Sequence, residues 1–590
     1  MSQERVSALR ALPLVLTLVL AAIGGCASKP APPESPVLQL EPRSVKTLHF
    51  SWTEAAGATG YQLLATPPGG GPEVVAEPPA GETGFDLLAF LPGQPGYRYR
   101  LRACNDGGCS ESAELTVGAA ELTVATGYFK AASVDDSDYF GQAVAVSADG
   151  RTLAVGMAGD DSSSRGAGGD PGDNGAEDSG AVYVYARDAA GNWAQTAYLK
   201  AANADAYDEF GGALAISGDG SLLVVGARKE ASSSTTINAG ADDNSASDTG
   251  AAYVFTRDAA GNWAQTAYLK AASSTAAFGG AVAVSADGAT VAVGAVYDGA
   301  GASSGGAVYV FKNDGSGWSQ QARLLAGNAD HADYLGCALT ISADGNTLAV
   351  GANHEDSAAT GVGGDDTDNT AAESGAVYVF SRDGSGNWAQ TAYLKAANTG
   401  AGDMFGSALA LSADGRLLAV GAVSEDGGST GINGDAADNS AAGSGAVYIF
   451  ARPDSGSWSQ TSYVKAENTG AGDAFGRSLS LSADGRLLAV GAIGEDGGST
   501  GLNGDAADNS AAGSGAVYIF TSDPDGSWRR QAYLKAPNTY NGASFGEAVA
   551  LAADGETLAV GAPNEFGGDT GVGGDWSDTS VCCAGAAYVF

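Results

Sequence analysis

A repeated block organises most of this chain, and each copy begins with Phe-Gly or Leu-Gly. The seven dipeptides are Phe140-Gly141, Phe210-Gly211, Phe278-Gly279, Leu335-Gly336, Phe405-Gly406, Phe475-Gly476 and Phe545-Gly546. Consecutive copies are separated by 70, 68, 57, 70, 70 and 70 residues. A period on this scale is typical of a unit that cannot bury its apolar face alone and packs on its neighbours. The repeat therefore constrains the fold more than any single residue does.

Each copy has the pattern of four strands. In the fifth copy these are FGSALALS, LLAVGAV, GAVYIFAR and WSQTSYVKA. Asp414-Gly415 between the first two strands suits a tight hairpin, so this aspartate and its equivalents are interpreted as turn formers. A long loop rich in Asp, Gly, Asn and Ser separates the second and third strands. The recurrent tryptophans that begin the fourth strands are expected to pack between units.

The two ends of the array are complementary. The seventh copy stops at Phe590, on its third strand, and supplies no fourth strand. Ahead of the first copy, VATGYFKAAS aligns with the later fourth strands, and Tyr128 and Lys130 match Tyr198 and Lys200. Residues 121–131 are therefore predicted to be the outer strand of the last unit, which closes a ring and removes the open sheet edges. The prediction is an all-β fold with a seven-bladed β-propeller over residues 121–590.

The repeats resemble FG-GAP repeats, the units of the integrin α-subunit propeller and of many bacterial surface proteins. Phe545-Gly546 and Val560-Gly561-Ala562-Pro563 in the seventh copy match that motif most fully. The resemblance implies a cell-surface protein with a role in adhesion. The family's calcium loop, DxDxDG, lies between the first and second strands, where this chain has one aspartate before glycine. One carboxylate cannot supply the oxygens that Ca²⁺ needs, so that site is not expected here.

A second acidic motif, GDxxDN, lies in the long loops between the second and third strands. Carboxylates, an amide and backbone carbonyls form a ligand set that suits Ca²⁺, the one candidate cofactor. The alternative is a solvated loop in which the aspartates cap local turns. The candidate ligands are Asp170, Asp173, Asp365, Asp368, Asp435, Asp438, Asp505, Asp508, Asp575 and Asp578.

The net charge of −39 excludes nucleic acid as a probable class of partner, since an acidic surface repels it. Most repeat carboxylates lie in the long loops and in the connections from fourth to first strands, which emerge on the same face of an up-and-down sheet. One face is therefore predicted to carry almost all of the net charge. The recurrent lysines of the fourth strands are predicted to face solvent and to guard against edge pairing; they are Lys200, Lys270, Lys395, Lys465 and Lys535.

The N-terminus has the pattern of an export signal over residues 1–26. Arg5 and Arg10 precede an apolar segment that is too short to span a bilayer. Ile23-Gly24-Gly25-Cys26 resembles the bacterial lipobox, which implies acylation of Cys26. Ala27 and Ser28 then imply an outer-membrane lipoprotein of the cell envelope, facing the periplasm or the cell surface. The alternative is an ordinary secretory signal.

Residues 27–36 form a Pro-rich linker, and residues 37–118 alternate like strands. Trp52, Tyr61 and Tyr97 give this segment its resemblance to a fibronectin type III domain, which implies a β-sandwich with Trp52 in the core and a corner hydrogen bond from Tyr97.

Cysteine usage fits an oxidising compartment. Cys104 and Cys109 flank a turn and are predicted to form a disulfide. For the adjacent Cys582 and Cys583, a vicinal bridge, an intermolecular bond and free thiols all remain open. Cys337 occupies a position that varies among the copies and is interpreted as incidental.

Signals for catalysis are weak. His49, His331 and His354 recur in no repeat, and no nucleophile or zinc motif is found. We therefore expect a monomeric, non-enzymatic protein, anchored to a membrane by its N-terminus, whose acidic propeller face binds an extracellular protein, glycan or matrix ligand. The alternatives are a propeller hydrolase or lyase that acts on extracellular polysaccharide, and an envelope scaffold without a specific ligand.

Overall fold

The computed structural model describes residues 29–272, 277–299, 304–454 and 456–590. The proposed signal peptide and Cys26 lie outside these residues. Two sheets form the first part of the described chain. The first contains β1 (Leu38–Arg43), β2 (Thr47–Trp52) and β5 (Gly84–Leu88); the second contains β3 (Gly60–Thr66), β4 (Glu73–Ala76), β6 (Arg98–Asn105), β7 (Gly108–Glu111) and β8 (Leu115–Thr116). A 3-10 turn covers Leu91–Gly93.

Aromatic residues form the core between these two sheets. Trp52 is buried with its ring centroid 5.4 Å from that of Tyr61, whose hydroxyl accepts a hydrogen bond from the Ala55 amide at 2.8 Å. Alternation along β6 turns Tyr99 inward, and its hydroxyl donates to Gln94 Oε1 at 2.6 Å. The fibronectin resemblance implied a corner hydrogen bond from the hydroxyl of Tyr97. In the structure Tyr97 is half-buried, and it is the Tyr99 hydroxyl that makes such a bond.

The rest of the described chain forms seven antiparallel sheets of four strands each, called sheets 1 to 7 below. Sheet 1 contains β10 (Ala143–Val146), β11 (Thr152–Met157), β12 (Ala181–Arg187) and β13 (Trp193–Leu199). Sheet 2 contains β14 (Ala213–Ile216), β15 (Leu222–Ala227), β16 (Ala251–Arg257) and β17 (Trp263–Leu269). Sheet 3 contains β18 (Phe278–Val284), β19 (Thr290–Ala295), β20 (Ala307–Asn313) and β21 (Trp318–Leu324).

The later sheets repeat this order of strands. Sheet 4 contains β22 (Leu339–Ile341), β23 (Thr347–Ala352), β24 (Ala376–Arg382) and β25 (Trp388–Leu394). Sheet 5 contains β26 (Phe405–Leu411), β27 (Leu417–Ala422), β28 (Ala446–Ala451) and β29 (Ser459–Val464). Sheet 6 contains β30 (Phe475–Leu481), β31 (Leu487–Ala492), β32 (Ala516–Ser522) and β33 (Trp528–Leu534). The all-β class is thus confirmed, and these repeated sheets are those of a β-propeller.

Sheet 7 takes its outer strand from the start of the array. It contains β34 (Ala548–Leu551), β35 (Leu558–Ala562), β36 (Ala586–Val589) and β9 (Gly127–Phe129), and Tyr588 pairs with Tyr128. The prediction of a strand over residues 121–131 was wrong at its beginning, because Ala119–Ala125 form helix α1. Leu122 and Ala125, one helical turn apart, are buried on the inner face of this helix.

The second strands approach the first strands of the next sheet closely through glycine. A Cβ atom on Gly421 of β27 would lie 2.3 Å from the carbonyl oxygen of Gly476, and one on Gly561 of β35 would lie 1.8 Å from that of Gly141. Neither obstacle is a flexible side chain, since both are backbone atoms. The glycine of the recurrent Val-Gly-Ala sequence is therefore required by the distance between neighbouring sheets.

Gly421→Ala is expected to lower the free energy of unfolding by about 3 kcal/mol, because the methyl group forces two strands apart. Chemical denaturation measures the loss. Gly384→Ala is the matched control, since nothing lies within 4 Å of its Cβ position, and it should change stability by no more than about 0.5 kcal/mol. Equal effects of the two substitutions would contradict the packing argument.

The N-terminal sheets contact sheet 7 directly. The Lys46 ammonium donates to Thr557 Oγ1 at 2.9 Å, and its backbone amide donates to the Ala125 carbonyl at 2.6 Å. Val45 is buried in one apolar cluster with Phe129 of β9. These contacts join the N-terminal sheets to the hairpin between β34 and β35, to α1 and to β9. Over the described residues, no helix is long and apolar enough to cross a membrane.

Candidate functional site

The recurrent lysines are buried, so the prediction that they face solvent was wrong. Each follows the end of an outer strand and turns under the long loop of the same sheet. The Lys465 side chain has 0% exposure, and its ammonium lies 2.9 Å from Glu425 Oε2. The equivalent pairs are Lys200–Asp160, Lys270–Glu230, Lys395–Glu355, Lys535–Glu495 and, across the two ends of the array, Lys130–Glu565.

Each pair belongs to a larger set of hydrogen bonds. Lys465 also donates to Ser444 Oγ at 2.7 Å and to the Gly445 carbonyl at 2.6 Å. Glu425 accepts the Tyr463 hydroxyl at 2.8 Å and the Asn398 amide at 3.1 Å. Burial lowers the pKa of Lys465, and Glu425 opposes that shift. Since Asn398 follows the outer strand of sheet 4, the ion pair of sheet 5 also joins two neighbouring sheets.

Sheet 3 makes the same kind of ion pair with exchanged residues. Leu325 stands at the lysine position, and Arg323, at the position of the outer-strand tyrosine, pairs with the buried Asp298. Tyr309 donates its hydroxyl to Asp298 Oδ2 at 2.6 Å. The pairing of a cation with the carboxylate is therefore maintained although both side-chain positions changed.

These pairs correct the predicted charge of the loop face. One carboxylate at the start of each long loop is buried and neutralised, from Asp160 in sheet 1 to Glu565 in sheet 7. They are structural groups, whereas the sequence pattern had placed them among the exposed acidic residues. The face remains acidic through its other Asp and Glu residues, but the buried carboxylates cannot meet a partner.

The aspartates predicted as calcium ligands all accept backbone N–H groups within their own loops. Asp435 Oδ1 accepts the Ala437 amide and Asp438 Oδ1 accepts the Ser440 amide, each at 3.0 Å. The same type of bond is made by Asp170, Asp173, Asp365, Asp368, Asp505, Asp508, Asp575 and Asp578. Among the described residues, no three His, Cys, Asp or Glu side chains lie close enough together to hold a metal ion. Calcium binding stays a prediction.

A further set of aspartates, which sequence reasoning missed, is buried just before the Phe-Gly motif. Asp473 Oδ2 accepts the Gly470 amide at 2.7 Å, and its pKa is raised to about 7, mainly by burial. Burial likewise raises the pKa of Asp138 to about 8, of Asp208 to about 7, and of Asp333 and Asp403 to about 6. The folded protein therefore holds these protons more tightly than the unfolded chain does.

A carboxyl group whose pKa is raised on folding stabilises the fold while it is protonated, and this contribution is lost as pH rises through the folded pKa. For the five aspartates, the folded pKa values lie near 6 to 8. The urea concentration at the midpoint of unfolding is therefore expected to decrease as the pH is raised from 5 to 9 at constant ionic strength. Asp473→Asn should flatten the dependence. A midpoint that rises across this range would contradict the assignment.

A patch of exposed and half-buried aromatic and basic side chains lies where the repeat departs from its consensus. The long loop of sheet 3 is short, since β19 ends at Ala295 and β20 begins at Ala307, whereas β27 ends at Ala422 and β28 begins at Ala446. Tyr297 in this loop is 49% exposed. We call Arg228, Lys229, Tyr297, Tyr334 and His354 the Tyr297 patch.

The three rings of the patch contact one another, and its two cations pair with the same carboxylate. The Tyr334 ring lies between the other two rings, 5.6 Å from Tyr297 and 4.7 Å from His354 between centroids. Arg228 and Lys229 each lie 2.6 Å from a carboxylate oxygen of Glu209. The Glu209 hydrogen bond raises the pKa of Arg228, and the nearby Tyr297 hydroxyl contributes to the shift. The patch thus extends over sheets 2, 3 and 4.

The remaining predicted residues are placed as follows. Cys104 and Cys109 form a disulfide with an S–S distance of 2.07 Å between paired strands β6 and β7. Cys337, Cys582 and Cys583 are free thiols. The signal that could have indicated the patch is the 57-residue spacing together with Lys229, Tyr297 and His354, which occupy equivalent positions in three successive repeats.

Comparison with known proteins identifies the repeat. Residues 193–255, 318–380, 388–450 and 458–520 each match the FG-GAP repeat family. No curated protein matches the sequence. Among solved structures, the chain is similar to the WD40 repeats of RRP9 and to U3-55K, each with a TM-score of 0.40 and 8% identity over 79% of this chain and 97% or 98% of the other. It is also similar to a eukaryotic initiation factor, with a TM-score of 0.28 and 11% identity over 86% of this chain and 90% of the other.

Four segments of the chain thus match the FG-GAP repeat, and the repeated four-stranded sheets are those of a β-propeller. The matched segments do not coincide with single sheets. Residues 193–255 contain the outer strand β13 of sheet 1 followed by β14, β15 and most of β16 of sheet 2. A chain built from such units begins with an unpaired outer strand and ends with three strands. Because each unit starts with the outer strand of one sheet and ends with the third strand of the next, the last sheet needs an outer strand from the beginning of the array, and β9 supplies it.

Proposed function

We propose that this protein is a lipid-anchored, non-enzymatic binding or adhesion protein of the cell envelope. In this proposal sheets 1 to 7 close into a seven-bladed ring over residues 121–590, and residues 37–118 form a fibronectin type III-like domain. Cys26 would carry the lipid after removal of the signal peptide, and the protein would act as a monomer at the outer membrane. The observation that carries the binding function is the Tyr297 patch.

The composition of the patch suits a protein interface. Tyrosine and arginine are the residue types most often found at the energetic centres of interfaces, because they combine large contact area with directed polar groups. Tyr297 and Lys229 stand where sheets 5 and 6 have Ser424 and Gly494. Three successive equivalent positions therefore carry large side chains in sheets 2 to 4 and small ones in sheets 5 and 6. Such asymmetry marks one sector of the loop face.

The charge around the patch indicates the chemistry of the partner. With a net charge of −39 and acidic long loops, the face attracts a cationic surface over long range and repels nucleic acid. The tyrosine rings can receive lysine or arginine side chains of the partner through cation–π contacts. Of the extracellular protein, glycan and matrix ligands expected from the sequence, a protein with a basic surface fits best.

The test is capture from envelope and secreted material on the immobilised full chain. Tyr297→Ala combined with Arg228→Ala should reduce specific capture about tenfold or more, as expected for the loss of two anchor side chains. Ser424→Ala combined with Asn564→Ala, at the positions equivalent to Tyr297 in sheets 5 and 7, is the control and should leave capture unchanged. Equal capture by both variants would contradict a role for the patch.

Calcium is proposed separately as an ion of the long loops. Calorimetric titration with Ca²⁺ after chelation should then release or absorb heat, and the melting temperature should rise. Asp435→Asn combined with Asp438→Asn should reduce the heat of Ca²⁺ binding by the amount that the long loop of sheet 5 contributes. A titration with neither heat nor a melting shift would reject calcium and would leave the Tyr297 patch unaffected.

A further inference from the structure

Two adjacent thiols lie in the long loop of sheet 7. The Sγ atoms of Cys582 and Cys583 are 3.0 Å apart, so that either thiol can donate to the other. Both are free, Cys582 is exposed and Cys583 is half-buried. The long loops of the other sheets contain no cysteine. The pair is therefore confined to the sheet that joins the two ends of the array.

The backbone of the pair holds sheet 7 to sheet 1. The carbonyl of Cys582 accepts the Ser137 amide and the carbonyl of Cys583 accepts the Tyr139 amide, each at 3.0 Å. The Cys582 amide donates to Asp136 Oδ1 at 3.0 Å. Residues 136–139 connect β9 to β10, which are the outer strand of sheet 7 and the first strand of sheet 1. The thiols thus lie at the joint between the last sheet and the first.

We propose that Cys582 and Cys583 are a reversible redox site, which a low-molecular-weight disulfide converts to a vicinal disulfide and which thereby loosens this joint. The thiolate of the exposed Cys582 attacks one sulfur of the oxidant, forms a mixed disulfide and releases one thiol. The Cys583 sulfur then attacks Cys582 Sγ and expels the second thiol. Two S–H bonds are replaced by one S–S bond, and the oxidant receives two electrons and two protons.

The oxidised form is expected to be easily reduced. Adjacent Cα atoms are separated by about 3.8 Å across a trans peptide, which is less than the roughly 4.4–6.8 Å that unstrained disulfides span. Strained and exposed disulfides have the higher reduction potentials of labile or regulatory bonds. Cys104 and Cys109 are already joined across the paired strands β6 and β7, with their Cα atoms 4.1 Å apart, so this disulfide serves as an internal comparison in the same chain.

Oxidation acts on the joint through one peptide group. The peptide between the two cysteines becomes part of an eight-membered ring, and its carbonyl is the group that accepts the Ser137 amide. Closing the ring rotates this carbonyl away from Ser137. Because the oxidised form loses a hydrogen bond between sheets 7 and 1, we expect local opening of the segment around residue 137 without unfolding of the other sheets.

The experiment equilibrates the full chain in glutathione buffers of graded ratio, followed by acid quenching, alkylation and digestion with trypsin. No Lys or Arg follows Lys535, so residues 536–590 form one peptide that contains Cys582 and Cys583 alone. In reducing buffers this peptide should be alkylated on both cysteines. In oxidising buffers it should carry no alkyl group and should weigh two hydrogen atoms less than the reduced, unalkylated peptide. The change should occur in one two-electron transition, for which a tenfold change in the equilibrium constant corresponds to about 29.6 mV. Residues 103–130, which carry Cys104 and Cys109, should stay oxidised in buffers that reduce the vicinal pair.

Variants and hydrogen exchange complete the test. Cys583→Ser should abolish the transition, whereas Cys337→Ser should preserve it. In the oxidised wild type, the Ser137 amide should exchange about tenfold faster than in the reduced form. Thiols that persist in the most oxidising buffer, or only glutathione adducts and disulfide-linked dimers, would overturn the redox site. An intramolecular disulfide with unchanged exchange at Ser137 would overturn the coupling to the joint.

Discussion

Lys465→Met is expected to lower the free energy of unfolding by about 3–5 kcal/mol, the usual cost of leaving one member of a buried ion pair unpaired. Glu425 is 1% exposed and lies 2.9 Å from the lysine nitrogen. In the variant the Glu425 carboxylate keeps its hydrogen bonds from Tyr463 and Asn398. It loses Lys465, its only ion-pair partner among the described residues. Chemical denaturation at neutral pH, with the slope of the transition compared between variants, measures the loss.

The controls separate charge burial from loss of side-chain volume. Lys465→Met combined with Glu425→Gln removes both charges and should recover more than half of the lost stability, because no uncompensated charge remains. Arg477→Ala breaks the exposed Arg477–Glu547 pair at 2.6 Å and should cost at most about 1 kcal/mol. If the single and double variants at the buried site were equally destabilised, packing rather than charge would determine the effect.

The four strands of each repeat could be predicted because alternation and turn residues act over short distances in sequence. The completion of sheet 7 by Tyr128 was visible for the same reason, since residues 124–133 align directly with later outer strands. Helix α1 was not predicted. Its seven residues, Ala119–Ala125, are too few for a clear helical period, and burial of Leu122 and Ala125 against other elements stabilises it.

The burial of the lysines could not be read from the local pattern, because a lysine after an outer strand ordinarily faces solvent. The missing information is the partner carboxylate, which lies 40 residues earlier in the chain for both Lys465 and Lys535. A signal for it does exist within the single sequence. In the third repeat Leu325 replaces the lysine, and Arg323 supplies the cation for Asp298. The simultaneous change at positions 323 and 325 keeps one cation available to the carboxylate, and it therefore indicates a contact more clearly than the recurrence of lysine in the other repeats does.

The ion pairs and the Tyr297 patch assign different roles to residues of one loop region. Glu230, Asp298 and Glu355 turn inward and pair with buried cations, whereas their preceding neighbours are the patch residues Lys229, Tyr297 and His354. A buried anchor therefore directly follows each of these patch positions along the chain. Anchoring of this kind holds the side chains of an interface in place before the partner arrives, which reduces the entropy lost on binding.

Removal of β9 is expected to have the largest effect on the whole array. A chain of residues 132–590 lacks Tyr128, Phe129 and Lys130, all of which are buried at 0% exposure. It leaves β36 as an unpaired edge and Glu565 without the ammonium that lies at 2.8 Å. The combined loss is expected to exceed about 5 kcal/mol. Because open edges pair with other chains, the product should form oligomers, detectable by light scattering during size-exclusion chromatography.

A chain of residues 119–590 is the matched control, since it retains α1 and β9 and lacks only the preceding sheets. It loses the Lys46 contact with Thr557 and the packing of Val45 on Phe129, so its denaturation midpoint should fall, but it should remain monomeric. A synthetic peptide of residues 119–134 should restore monomers of the 132–590 chain, because β9 pairs with β36 by hydrogen bonds that need no covalent link to β10. Equal stability of the two truncated chains would show that β9 does not support the fold. Oligomers of the 132–590 chain that the peptide cannot dissociate would show that the array fails for a reason other than the open edge of sheet 7.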